Sequence, residues 1–229
     1  MRLDKFLCDT GFGTRSEVKK IIRDKLVSVN DVIITKADFK VDEVNDVINV
    51  DGFEVSYKAN AYYMLNKPKG YVSSTSDKHA TVLDLIYEND KDLFPCGRLD
   101  KDTEGLLLIT NDGDLAHKLL SPKNGIKKEY YVIARDIIDD TQIKRIESGV
   151  EKGGVSYLPA QLINIKDNEC HIIVTEGKFH EIKEIFLAVG NEVTYLKRVR
   201  MHNLTLDESL ASGEYRELSE EEINKLKVI

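Results

Sequence analysis

Gly97-Arg98-Leu99-Asp100-Lys101-Asp102-Thr103-Glu104-Gly105-Leu106-Leu107-Leu108-Ile109-Thr110 is the stretch on which the fold turns. Two glycines bracket three carboxylates, a guanidinium and a hydroxyl, and Leu106–Thr110 then reads as a buried strand between turn signals. A loop that runs into a buried strand is anchored rigidly, which suits a catalytic group. Three acids within five residues cannot all be buried, because like charges repel. One therefore points inward while the others stay solvated; the competing reading is a charged surface loop. A metal site fits less well, since no histidine or cysteine is near and no Asp-x-Asp-x-Asp-Gly loop is present.

Outward from this strand the chain alternates between two periods. Tyr62–Leu65, Glu129–Ala134 and Cys170–Val174 read as strands, with Asn66–Gly70 as a loop or turn. Helices fit Asp114–Leu120, Thr141–Gly149 and His180–Val189, the last because Ile182, Ile185, Phe186 and Val189 repeat at helical spacing. Ser219 and Glu222 form a capping box for a final helix. The order predicts an α+β domain with a mixed, largely antiparallel sheet rather than regular βαβ winding.

The N-terminal part reads as a separate αβ module. Leu3, Phe6 and Leu7 give a short helix ending near Gly11 and Gly13, and Thr14 with Glu17 opens a second. Val27, Val29 and Val32–Ile34 read as strands around an Asn30-Asp31 turn. The pattern breaks across 55–61, so the expected division is 1–57, a linker at 58–61, and a larger domain at 62–229.

The chain has 229 residues, 33 basic and 40 acidic, for a net charge of −7. With 41% hydrophobic and 32% charged residues it has material for a core, which excludes disorder as its main state. It has no run of about 18 apolar residues for a membrane span, and no secretory signal is expected of it. Cys8, Cys96 and Cys170 are odd in number and far apart, fitting neither a disulfide framework nor a zinc site. The expectation is a reduced, cytoplasmic protein without metal or membrane. An acidic balance argues against nucleic acid, but the charge is uneven. Residues 2–25 carry seven basic side chains against four acidic, and Arg15, Lys19 and Arg23 share one helix face.

Arg2-Leu3-Asp4-Lys5-Phe6-Leu7, Gly11, Thr14-Arg15 and Val27-Ser28-Val29-Asn30 resemble the S4 RNA-binding domain. The resemblance implies that Arg2, Arg15, Lys19, Lys20 and Arg23 face RNA phosphates. Lys25 and Asp31 stand where that family often has glycine.

Gly97-Arg98-Leu99-Asp100-x-Asp102-Thr103-x-Gly105, continuing to Gly113, resembles the signature of pseudouridine synthases of the RsuA type. Asn66–Thr75, Lys128-x-Tyr130-x-Val132 and Glu176–Lys183 resemble further motifs of that family, in order and over nearly the whole chain. The resemblance implies isomerisation of a uridine in RNA, with no cofactor. The N1–C1′ bond breaks, the uracil turns, and C5 bonds to C1′. Asp100 takes the catalytic carboxylate position, acting either as nucleophile or as the base that removes a ribose proton. Lys183 is the implied ion-pair partner of Asp100. Tyr130 is the implied ring against the uracil, Ile182 packs on its other side, and Arg98 supports or replaces the extruded nucleotide. Tyr131, on the opposite face of the strand, is expected to be the core member of the tyrosine pair.

Lys67, Lys69 and the basic segments 117–128 and 195–202 are expected to line the RNA-facing side. Phe179-His180-Glu181-Ile182-Lys183 is nearer the small-subunit form of the last motif, which implies 16S rRNA, naked or in a partly assembled particle, as partner of a monomer without an obligate protein partner. Glu181 departs from the family's glutamine. The rivals are a 23S rRNA uridine, a non-catalytic RNA-binding assembly factor, and a hydrolase pairing Asp100 with Asp102 or Glu104.

Overall fold

In the computed structural model the Thr14–Glu17 spacing closes as a capping box. Thr14 N–H donates to Glu17 Oε2 at 2.7 Å and Glu17 N–H to Thr14 Oγ1 at 3.5 Å. Such a cap contributes about 1 kcal/mol to a short helix. The structure describes residues 1–43, 45–55, 60–88 and 92–229, and the linker expected at 58–61 falls partly outside them. Backbone contacts divide the chain into two compact units, Met1–Ala61 with Glu88–Asp92, and Tyr62–Tyr87 with Leu93–Ile229.

The first unit packs α1 (Leu3–Asp9) and α2 (Arg15–Arg23) on an antiparallel sheet of β1 (Val27–Val29), β2 (Val32–Ile33), β3 (Ile48–Val50) and β4 (Phe53–Glu54), in the order β2-β1-β3-β4. Its core is Leu3, Phe6, Leu7, Val18, Ile22, Val27 and Ile48, all nearly inaccessible. The expected Asn30-Asp31 turn joins β1 to β2 with φ of 50° and 65°, the left-handed pair that a two-residue hairpin requires. Lys25 is also left-handed, at φ 63°. The glycine conformations of the S4 pattern are thus kept at Lys25 and Asp31 without glycine. Val18 and Ile22 bury one side of α2, which leaves Arg15, Lys19, Lys20 and Arg23 exposed on the rest.

The second unit contains β5 (Tyr62–Lys67), β6 (Phe94–Pro95), β7 (Glu104–Thr110), α3 (Gly113–Leu120), β8 (Lys128–Ala134), α4 (Asp140–Ser148), β9 (Val150–Lys152), β10 (Val155–Tyr157), β11 (Gln161–Lys166), β12 (Glu169–Val174), α5 (Glu181–Ala188), β13 (Val193–Met201), β14 (Leu204–Thr205), β15 (Tyr215–Glu217) and α6 (Glu220–Lys227). The main sheet runs β11-β12-β8-β13-β7-β5-β15, with β14 beside β13 and β6 beside β7. It is mixed, as expected: β13 and β7 are parallel and the other pairs of this sheet antiparallel. Leu106–Thr110 is buried throughout because β7 is central, which is why its sequence does not alternate. Tyr62, Met64, Leu106, Leu108, Leu115, Leu119, Met201 and Leu226 form one core cluster. Among the described residues no helix is long and apolar enough to cross a membrane.

Three expectations need correction. Asn66 and Lys67 belong to β5 rather than to a loop, because both pair in register with Leu106 and Gly105 of β7. Tyr131 is not the core tyrosine. β8 buries Lys128, Tyr130, Val132 and Ala134, and the half-buried Tyr131 donates its hydroxyl to Glu169 at 2.6 Å. The 195–202 segment is not a basic surface: it lies in β13, where Arg198 is 2% exposed and Arg200 pairs with Glu129 at 2.8 Å.

Candidate active site

The carboxylate loop is held from below. Lys67 is fully buried, and its ammonium donates to the carbonyls of Pro68, Asp100 and Thr103 at 3.1, 3.1 and 2.8 Å. Burial pushes its pKa down to about 8 despite the nearby carboxylates. Ser73 Oγ donates to Leu99 O at 3.0 Å and accepts from Leu99 N–H at 3.1 Å, while Gly70 N–H donates to Lys101 O at 2.7 Å. Leu99 packs inward and Asp100 turns toward a small hollow. Lys67, expected to meet substrate, is therefore a post inside the fold, because its charge is spent on backbone oxygens that would otherwise be buried unpaired.

Sheet register brings the remaining groups together. Arg198 on β13 faces Gly105 on one side and Tyr130 of β8 on the other. Gly105 is required here: at φ +98° a Cβ would stand 2.2 Å from Arg198 O. β12 pairs with β8, so the 175–180 loop delivers α5 to the same end of the sheet.

Lys183 on α5 lies 3.1 Å from Asp100 Oδ2 and 2.6 Å from Asp102 Oδ1. The ion pair implied for Lys183 is formed, and Asp102 shares it. Burial lowers the Lys183 pKa, but the bonds to both carboxylates outweigh it and the net shift is upward. Burial likewise raises Asp102, and Lys183 reverses this to a net fall. His180 Nε2 stands 3.7 Å from Asp100 Oδ1. Its backbone is left-handed at φ 52° directly before α5, a strained state that clusters at functional sites. The sequence marks His180 only as part of a longer motif.

The hollow, about 60 Å³, is bounded by Asp100, Tyr130, Ile182, Leu196, His180 and Glu181 among others. Tyr130 is 9% exposed. Burial raises its phenol pKa, so it stays protonated at neutral pH and serves as a donor. Ile182 is buried on the wall, and Arg98 is exposed at the rim without an ion pair to Asp102 or Glu104 among the described residues. Glu181 is 8% exposed, and burial pushes its carboxyl up to about 7. The expected N-terminal residues belong to the other unit. Arg2 forks onto Asp4 at 3.0 and 2.7 Å, whereas Arg15, Lys19, Lys20 and Arg23 present exposed charge on α2. Of the 117–128 lysines, Lys118, Lys123 and Lys127 are exposed and Lys128 is buried.

The hollow thus offers one carboxylate paired with an ammonium, a protonated phenol, and the apolar side chains of Ile182 and Leu196. The chain as a whole is similar to known proteins. The chain is 44% identical to an uncharacterized RNA pseudouridine synthase of Bacillus subtilis (strain 168), covering 99% of this chain and 98% of that one. It is 42% identical to the ribosomal small subunit pseudouridine synthase A of Vibrio cholerae, covering 97% and 98%. A crystal structure of a pseudouridylate synthase superposes with a TM-score of 0.70 at 35% identity over 99% of both chains. The S4 domain family matches residues 1–48 and the RNA pseudouridylate synthase family residues 61–227. With that match spanning most of its length, this chain belongs to the RNA pseudouridylate synthase family.

Proposed function

We propose that the enzyme isomerises one uridine of small-subunit ribosomal RNA, 16S rRNA, with Asp100 as the catalytic carboxylate. The observation that carries this reading is the Asp100–Lys183 contact of 3.1 Å at the edge of a hollow walled by Tyr130 and Ile182. The name of the Vibrio cholerae relative and the Phe179–Lys183 motif support the small-subunit target.

The target uridine is extruded from its stack so that its C1′ meets Asp100, and Arg98 at the rim occupies the space it leaves. Lys183, 3.1 Å from Asp100, balances the charge of the carboxylate and holds it at the edge of the hollow. Asp100 then either attacks the substrate or removes a ribose proton; both routes start from the same side chain in the same place. Tyr130 and Ile182 hold the two faces of the uracil while the glycosidic bond is broken and remade at C5. Once C5 is bonded to C1′ its hydrogen leaves as a proton to solvent, and the Tyr130 hydroxyl relays it, accepting at oxygen while passing its own proton on. Arg15, Lys19, Lys20 and Arg23, joined by Arg2, grip RNA phosphates and supply salt-sensitive affinity.

The test is nucleoside analysis of a 16S rRNA fragment before and after incubation. The expected result is one pseudouridine per RNA at unchanged mass. Release of free uracil would establish a hydrolase instead, and an unchanged nucleoside profile with retained binding would make the chain a non-catalytic RNA-binding factor.

A further inference from the structure

A second cavity adjoins the hollow at Asp100. It has a volume of about 390 Å³ and shares Arg98, Tyr130, Gly177 and Lys178 with the smaller space. Its size is that of a ligand pocket, whereas the hollow alone, at about 60 Å³, is far smaller. Its interior is unusual in charge. Lys128 and Arg198 are 7% and 2% exposed, and neither has a carboxylate within salt-bridge distance among the described residues. Strand register sets them together: Arg198 is opposite Tyr130, and Lys128 lies two residues along β8 on the same buried face.

Their bonds are incomplete. Lys128 Nζ donates to Ile126 O at 3.3 Å and Glu176 O at 3.0 Å, using two of its three protons. Arg198 Nε donates to Leu106 O at 2.7 Å, while its buried Nη2 has no partner. Glu176 on the wall is engaged by Lys178 at 2.7 Å. Lys128 feels the buried Glu181 carboxyl, but among the described residues no carboxylate bonds either cation, and buried cations are costly unless acceptors reach them. The proposed chemistry uses neither one directly, although Arg198 also donates to the Tyr130 hydroxyl.

We propose that this cavity is a nucleobase subsite, in which Lys128 and Arg198 donate to the carbonyl oxygens of a base of the substrate RNA. Such a donor-only pair favours the acceptor edges of uracil or guanine and disfavours cytosine and adenine, whose exocyclic amino groups would face donors. The inference rests on the reading that the substrate is a uridine in RNA. The base has two sources with one chemistry, the target uracil as it turns or the base beside it.

Two measurements with the full-length protein separate these sources. In the first, single-turnover rates are compared for RNAs carrying each of the four bases on either side of the target uridine. In the second, equilibrium binding of uridine monophosphate is compared with that of cytidine monophosphate. Both use wild type, Lys128→Gln, and Leu120→Trp, which fills the cavity from its exposed rim and guards against misfolding at Lys128. Preference of about tenfold for guanine or uracil at one flanking position, lost in both variants, assigns the neighbouring base. Preference for uridine monophosphate without flanking dependence, again lost in the variants, assigns the target base. No preference in either arm, or a preference undiminished in both folded variants, overturns the subsite. Absence of turnover on every RNA would instead overturn the activity, and the nucleotide-binding arm would still decide the subsite.

Discussion

The two units handle positive charge in opposite ways. On α2 the side chains of Arg15, Lys19, Lys20 and Arg23 stand in solvent. In the larger unit Lys67, Lys128 and Arg198 are buried, and Lys183 is committed to two carboxylates. A solvated charge acts at long range, is screened by salt, and is indifferent to sequence. A buried charge is worth its desolvation only where it fixes a geometry or an ionisation state. The smaller unit is therefore built to hold RNA and the larger one to position chemistry.

This contrast breaks most sharply at the carboxylate loop. Asp100→Asn should abolish measurable turnover, a loss of about 10⁴-fold or more, while thermal stability and RNA affinity stay near wild type. Loss of RNA binding in that variant would mean that a binding loop has been mistaken for a catalytic one. Lys183→Ala should lower single-turnover rate about 100-fold, and Lys183→Arg should recover most of it. Equal loss in both variants would show that the helix, not the cation, is at fault.

Lys67 sharpens the comparison because it is buried with its ammonium held by backbone carbonyls. Lys67→Met leaves buried carbonyls of Pro68, Asp100 and Thr103 without a donor, at about 1–3 kcal/mol for each group. A melt should show a fall of at least about 5 °C together with a lower kcat and nearly constant RNA affinity. A variant with wild-type melting and weakened RNA binding would return Lys67 to the RNA-facing surface.

Glu181 supplies the pH-dependent case. Its carboxyl rises from 4.5 to about 7 on folding, chiefly by burial. The native state keeps its proton where the unfolded chain has lost it, so this contribution is full below pH 4.5 and is lost as pH rises through about 7. Glu181→Gln should remove the difference, with melting a few degrees above wild type at pH 8 and close to it at pH 5. Parallel melting curves at both pH values would refute the buried acid. The smallest effects belong to α2. Single alanines at Arg15, Lys19 or Arg23 should weaken RNA binding about threefold and reduce the salt slope by about 0.7–0.9 per charge, with kcat at saturating RNA unchanged.

The same division explains what was legible in the sequence. The helix starts at Thr14 and Ser219 were readable because a capping box is local chemistry. Leu106–Thr110 was readable because an unbroken apolar run between turns has few other solutions. β13 was passed over because Lys197, Arg198 and Arg200 interrupt its pattern, and composition alone places such residues outside. Lys67 was misplaced for the same reason. Tyr130 and Tyr131 are adjacent, and only the pairing of β8 with β12 and β13 fixes which one is buried. Asp100 and Lys183 were identified through motif resemblance, but the sharing of Lys183 with Asp102 and the approach of His180 depend on how α5 meets the loop.

The central claim is that the cation-held carboxylate of the larger unit converts one uridine of small-subunit rRNA. Its most direct test is carbodiimide-based pseudouridine mapping of 16S and 23S rRNA, naked and in assembling particles, after incubation with wild type or Asp100→Asn. The account predicts a single new stop in 16S rRNA that appears with wild type alone. A stop in 23S rRNA would contradict the assigned target, and a stop that persists with Asp100→Asn would contradict the assigned chemistry.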